Sequence, residues 1–199
     1  MNRTHLPVIL LGAAAIVVAH LLDPFAFRYL RIENVYGEDW GRMLRVMGFL
    51  PLWIVGGIVL WLYEPVPRPK PYRSRGALLV AGAAVGGIVA ELTKIVLRRL
   101  RPGDLGDYAF RPWGERTFSS GGLGLPSSHA LVAFGAAAVL ARMFPRAWWV
   151  WWPLAWGCAL TRVAAGAHFL SDVVVAAVLG WLVGAMVWRW RDPSTVAAA

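Results

Sequence analysis

From its start, the chain alternates long apolar blocks with short polar, basic or Gly/Pro-rich stretches. Leu6 to Leu22 is almost unbroken apolar sequence, with Arg3 before it and Asp23-Pro24 after it, long enough to cross a hydrocarbon core of ~30 Å. Further apolar blocks run Val46 to Tyr63, Ala77 to Leu97, His129 to Phe144, Trp148 to Ala165 and Phe169 to Trp188, lengths that suit helices rather than strands. The pattern predicts an all-α chain, a bundle of about six transmembrane helices forming a single domain over residues 1–199, without internal repeats. Between the first two blocks, Phe25 to Arg45 mixes Phe25, Phe27 and Tyr29 with Arg28, Arg31, Glu38 and Asp39, a composition expected to lie in the membrane interface. The first block shares a basic start and an apolar run with secretory leaders. No clean small-x-small cleavage site precedes Asp23 at the end of the apolar run, so a retained span is expected.

Composition narrows the class. At 58% hydrophobic and 16% charged, the chain is too apolar for an ordinary water-soluble domain. Cys158 is the one cysteine, which excludes a disulfide scaffold. A net charge of +9 would suit nucleic acid, yet no polar globular region could carry such a site, so the expected partner is the lipid bilayer. Trp148, Trp149, Trp151 and Trp152 at the start of one block, and Trp188 and Trp190 at the end of another, fit interfacial anchors. An even number of spans puts Arg3, Arg68, Lys70, Arg73, Arg75, Arg142, Arg146, Arg189 and Arg191 on one face with only Glu64 and Asp192. That face is expected to be cytoplasmic, in a multi-pass protein of the cell (inner) membrane. The opposite face is also rich in cations, a first hint that it binds an anion.

Three groups of polar residues need a reason, because a charge at the centre of a span costs about 2.5–3.5 kcal/mol. Glu91, Lys94, Arg98 and Arg101 recur at helical spacing up to Pro102, which predicts one helical face gathering three cations beside a carboxylate. Snorkelling of basic ends with Glu91 as neutraliser is the plainer reading. Ser119 to His129 is a Gly/Ser run entering an apolar helix; its backbone N–H groups suit either an anion cradle or a simple N-cap by Ser127 or Ser128. Thr161-Arg162 is followed by His168 and Asp172 at i, i+4. If the helix runs through His168, the carboxylate reaches the imidazole and fixes its tautomer; a polar contact inside a bundle is the alternative. His5 and His20, at the ends of the first block, read as interfacial. No HExxH or paired-Cys spacing supports a metal site from Glu91, His129, His168 and Asp172, and no metal or other cofactor is expected.

Together the groups supply fixed cations, a cradle, a His held by a carboxylate and a second His, the parts of phosphoryl transfer through a covalent intermediate. Lys94 with six residues before Arg101-Pro102, then Pro126-Ser127-Ser128-His129, then Thr161-Arg162 with five residues before His168 and three more before Asp172, resemble the three signature motifs of the type 2 phosphatidic acid phosphatase superfamily. The resemblance implies a six-helix membrane fold with its site on the extracytoplasmic side. It implies that His168 is the nucleophile, Asp172 its orienting carboxylate and His129 the general acid. Lys94, Arg101 and Arg162 are then the phosphate clamp, with Ser127 and the Ser128 backbone amide adding hydrogen bonds. Ser128 stands where the family has Gly, and Thr161 where it has Ser. The implied substrate is a membrane lipid phosphomonoester or diphosphate, undecaprenyl diphosphate being favoured over phosphatidylglycerol phosphate, phosphatidic acid or lipid A 1-phosphate. Transfer to an alcohol is the nearest alternative. No obligate protein partner is implied. A proton-relay transporter through Glu91, His168 and Asp172 would leave Arg101, Arg162 and the Gly/Ser run without a role. The linker Gly103 to Leu125, with Arg111, Trp113 and Arg116, is expected to form a lid or headgroup pocket, and Asp104, Asp107 and Glu115 within it to be solvated charges.

Overall fold

The computed structural model describes residues 6–65 and 70–191; Arg3, His5, Arg68 and Asp192 lie outside the described residues. Among the described residues the fold is all-α: α1 (Leu6–Tyr29), α2 (Asp39–Val46), α3 (Leu50–Leu62), α4 (Arg75–Leu97), α5 (Ser128–Met143), α6 (Trp148–Ala164) and α7 (Leu170–Trp188). Six of these are apolar, as the pattern predicts. By length and composition α1, α4 and α7 can each cross a membrane alone, and α2 with α3 adds a fourth, bent by 62°.

α1 does not stop at Asp23-Pro24. It continues to Tyr29 with Pro24 inside it, so residues 25–29, expected in an interfacial segment, complete the span. Proline lacks the N–H that would bond the carbonyl four residues back. That carbonyl belongs to His20, and the Tyr108 hydroxyl lies 3.5 Å from it. Asp23 is buried at 1% exposure, because a neighbouring helix uses its carboxylate.

The expected span from Val46 to Tyr63 is broken. α2 carries the polar interfacial character expected of the Phe25 to Arg45 segment, and the chain turns at 47–49 before α3 begins with Pro51 in its first turn. Gly48 is pressed against α5: a Cβ there would lie 2.6 Å from the His129 Cβ. The break therefore places the turn against the first turn of α5.

α5 is the central helix, packed against α4, α6 and α7, and every residue from Ala130 to Leu140 is buried. Lipid is as apolar as leucine, so close packing rather than water exclusion drives such contacts. Small residues permit the approach: a Cβ on Gly135 would sit 2.3 Å from the Gly82 carbonyl oxygen of α4.

α4 starts on Ser74, whose Oγ accepts from Ala77 N at 3.2 Å, and ends when Arg98 turns into the left-handed region at φ +56°. The predicted continuous face through Arg98 and Arg101 is therefore wrong, because one left-handed residue redirects the chain. Glu91 and Lys94 stay together, whereas the Arg98 guanidinium turns away to donate to the carbonyls of Arg111 (3.0 Å), Pro112 (2.7 Å) and Glu115 (2.5 Å). After Arg98 the chain forms a ladder-like strip: Leu100 N donates to the Ala109 carbonyl and Arg111 N to that of Arg98 on one edge, and Arg101 N to that of Gly122 and Gly124 N to that of Arg99 on the other. The 103–125 linker is thus laced onto this strip. Arg111 closes it by donating to the carbonyls of Ser119 at 2.7 Å and Gly121. Asp104, Asp107 and Glu115 are exposed on its outside.

Candidate active site

At one end of the bundle, the extended strip after α4, the first turn of α5, the end of α6 and the first turn of α7 converge. Asp172 lies in that first turn of α7, wholly buried. Its Oδ2 accepts from the Phe169 backbone N–H at 2.9 Å and lies 3.4 Å from His168 Nδ1. The pairing was expected from i, i+4 stacking within a helix, but α7 begins at Leu170 and Phe169 is extended. The contact forms across the helix cap instead, with the carboxylate bonding the chain that carries the histidine. His168 is 3% exposed. Burial pushes its pKa below the ordinary range, against the opposing pull of Asp172, which favours the neutral imidazole. With Nδ1 facing the carboxylate, Nε2 is the nitrogen left for chemistry.

The other Asp172 oxygen is taken by Arg99, which the motifs do not include. Its guanidinium donates to Asp172 Oδ1 and to Ser171 Oγ, the latter at 2.8 Å, and contacts His20 Nε2 at 3.2 Å. His20 Nδ1 donates to the Ile16 carbonyl at 2.9 Å, which leaves Nε2 to accept. Asp23 of α1 closes the set: Oδ1 accepts from Ser171 N at 2.8 Å, and Oδ2 from Ser171 Oγ and from the Tyr108 hydroxyl, the latter at 2.6 Å. The Tyr108 pKa is raised to about 12, by burial and then by Asp23, so it donates as a neutral phenol. A chain of polar contacts, buried at Asp23, Arg99, Ser171 and Asp172, thus runs from the linker through α1 to the His168 partner. Arg99 was visible only as one more cation on a basic face, Asp23 only as the end of an apolar run, and Tyr108 carried no signal. His20, read as interfacial, belongs to this set.

The cations expected to clamp phosphate separate into held and free. Lys94 is buried; its Nζ donates to Glu91 Oε1 at 3.0 Å and to Ser128 Oγ, which itself donates to Glu91 at 2.5 Å. The hydroxyl at the position where glycine was expected therefore ties Lys94 to Glu91. Arg162 is buried and donates through NH1 to the Tyr36 hydroxyl at 2.8 Å, while its Nε has no partner. Tyr36 in turn donates to the Thr161 carbonyl at 3.1 Å, and Thr161 Oγ1 donates to the Cys158 carbonyl at 2.7 Å, so the threonine hydroxyl serves the backbone. Arg101 stays exposed. Its pKa is lowered first by partial burial and then by the Arg162 charge, because the two guanidiniums share one space.

Ser127 is fully buried, its backbone N–H donates to the Asp172 carbonyl at 3.2 Å, and its Oγ has no partner. An unsatisfied buried hydroxyl at a helix N-terminus suits an anionic oxygen, as does the buried Arg162 Nε, also without a partner among the described residues. His129, half-buried one residue into α5, lies within electrostatic reach of Arg162, Arg45, His168 and Lys94. All eight sequence-predicted residues are therefore gathered at this end of the bundle. Among the described residues, no group of three or more His, Cys, Asp or Glu side chains is placed to hold a metal ion.

Residues 75–195 match the family model of the PAP2 superfamily. A lipid A 1-phosphatase of Rhizobium etli is 33% identical over 109 residues, which is 53% of this chain and 45% of that protein; the chain thus spans less than half the length of that relative. A decaprenylphosphoryl-5-phosphoribose phosphatase of Mycobacterium tuberculosis is 34% identical over 137 residues, 67% of this chain and 70% of that protein. In three dimensions the fold matches a solved transmembrane PAP2 type phosphatidylglycerolphosphate phosphatase from Bacillus subtilis with a TM-score of 0.64 at 17% identity, covering 94% of this chain and 96% of that one.

Proposed function

The chain belongs to the PAP2 superfamily, and we propose that it is a multi-pass membrane phosphatase that releases phosphate from a lipid phosphomonoester or diphosphate through a phosphohistidine at His168. The observation that carries this reading is the buried His168, with Nδ1 turned to Asp172 at 3.4 Å and the Arg162 and Arg101 charges within electrostatic reach of the imidazole. Nε2 attacks phosphorus while Lys94, Arg101, Arg162, Ser127 Oγ and the Ser128 amide hold the nonbridging oxygens. His129 gives its proton to the departing lipid oxygen, then takes one from the water that hydrolyses the phosphohistidine. The linker laced over residues 98–101 supplies the headgroup side of the site.

Undecaprenyl diphosphate is the substrate we favour. The polyprenyl substrate named for the mycobacterial relative, aligned over 70% of its length, supports an isoprenoid tail over an acyl-chain lipid. Phosphate release from undecaprenyl diphosphate, phosphatidylglycerol phosphate, phosphatidic acid and lipid A 1-phosphate by detergent-purified protein decides this. Turnover is expected to be fastest on the first, to survive EDTA, and to fall at least tenfold with vanadate, which can adopt the trigonal-bipyramidal geometry at phosphorus. Loss of turnover with EDTA and its return with zinc would replace this mechanism by a metal-dependent one.

We place the site on the extracytoplasmic side of the inner membrane. Lys70, Arg73, Arg75, Arg142, Arg146, Arg189 and Arg191 belong to the opposite end of the bundle, where positive charge is retained in the cytoplasm. In a background where Cys158 is replaced by Ala, Ser120→Cys is expected to react with a membrane-impermeant thiol reagent on intact cells and Arg73→Cys only after lysis. The reverse labelling would invert the topology.

A further inference from the structure

At the end of the bundle away from His168, α1 and α7 leave a lipid-facing groove of about 890 Å³ between them. The two helices approach each other at Gly12, where a Cβ would lie 3.4 Å from Val178. The walls are apolar: Ile9, Ala13 and Ile16 from α1, Val178, Trp181 and Met186 from α7. Arg142 and Arg189 also line the groove. Arg142 is in the last turn of α5 and Arg189 just follows α7, so at 1.5 Å per residue Arg142 stands about 20 Å from His129 along the helix. The groove is thus separate from the phosphatase site.

Arg142 is half-buried. Its NH1 donates to the Ala138 carbonyl at 2.7 Å and its guanidinium sits 5.6 Å from the Trp181 ring centroid. Neither Arg142 nor Arg189 has a carboxylate in ion-pair range among the described residues. A guanidinium held at the edge of the hydrocarbon without counter-charge is unfavourable, and its fork has donors to spare for a phosphodiester. The ligand that brings an anion to this depth, and apolar chains for the slot beneath it, is a lipid.

We propose that this groove binds an anionic phospholipid of the leaflet opposite the active site, with its headgroup phosphate on Arg142 and Arg189 and its acyl chains along Ile9, Ile16 and Val178. The lipid is held and not turned over, since no nucleophile lines the groove among the described residues. A net negative headgroup is favoured over a zwitterionic one, whose choline would face the same two cations.

Native mass spectrometry of the full chain tests this by retention, so the result stands apart from whether the protein is a phosphatase. Dioleoyl phosphatidylglycerol is expected to be retained about tenfold more than dioleoyl phosphatidylcholine. The preference should vanish in Arg142→Gln/Arg189→Gln and persist in Arg142→Lys/Arg189→Lys. Equal retention of the two lipids by the wild type, or an undiminished preference in the Gln pair, overturns the proposal. A phosphatidylglycerol carrying a diazirine in its acyl chain gives a reading that no variant's folding affects. On the wild type it should label peptides spanning residues 9–16 and 178–186, and labelling confined to other segments overturns the proposal too.

Discussion

Replacing His168 by Ala is expected to lower phosphate release by about 10⁴-fold or more while the protein still inserts and folds, because the covalent route is lost and only the clamp remains. The imidazole is almost wholly enclosed, so its loss leaves a small polar cavity beside Asp172 rather than an unpaired charge, since Arg99 still neutralises the carboxylate. Thermal unfolding of the purified variant should therefore stay within a few degrees of the parent. Incubation with ³²P-labelled substrate followed by alkaline quench should trap a labelled wild-type protein and an unlabelled variant. Turnover near the parent rate in His168→Ala would end the phosphohistidine mechanism.

The second large effect is expected at Arg99, outside the three motifs. Arg99→Gln leaves Asp172 Oδ1 without its cation in a fully buried position, and breaking such a pair by removing one partner costs about 3–5 kcal/mol. Because the same carboxylate orients His168, the rate should also fall by about 10²-fold, the loss expected when a reacting group is misplaced by an ångström or so. Arg99→Lys keeps the charge but not the fork that reaches both Ser171 and Asp172, so it should recover stability more than rate. The fall should appear in kcat with KM little changed, since Arg99 faces the carboxylate and not the clamp. Parent turnover and parent melting temperature in Arg99→Gln would show the pairing to be idle.

These two positions differ in how far they could be read from sequence. His168 and Asp172 are separated by a spacing that carries chemistry in itself, and Lys94, Arg101, Ser127, Ser128, His129 and Arg162 stand in three motifs whose order and intervals are specific. Arg99 sits between two of those motif positions and has no local reason to differ from Arg98. What separates them is the left-handed turn at Arg98, which sends one guanidinium to the linker carbonyls and the other to Asp172. A backbone reversal of that kind in a non-glycine residue is held by its tertiary partners, so periodicity continued the helix through it.

By itself the sequence determined the class: an apolar, basic, all-helical chain whose blocks are long enough for a bilayer, with anchoring tryptophans and a set of phosphoryl-transfer side chains at motif spacing. Those features depend on composition and on intervals along the chain, which lipid and helix geometry read directly. Only the tertiary structure decided where helices truly end and which polar groups satisfy one another. Asp23 and Pro24 look like the close of a span, yet α1 runs on because Ser171 and Tyr108 supply partners for Asp23. Val46 to Tyr63 looks like one span, yet it bends because Gly48 lets the chain press on His129. In both places the competing local forms differ by little, and contacts with residues far away in the chain, buried where water cannot serve as partner, set the outcome.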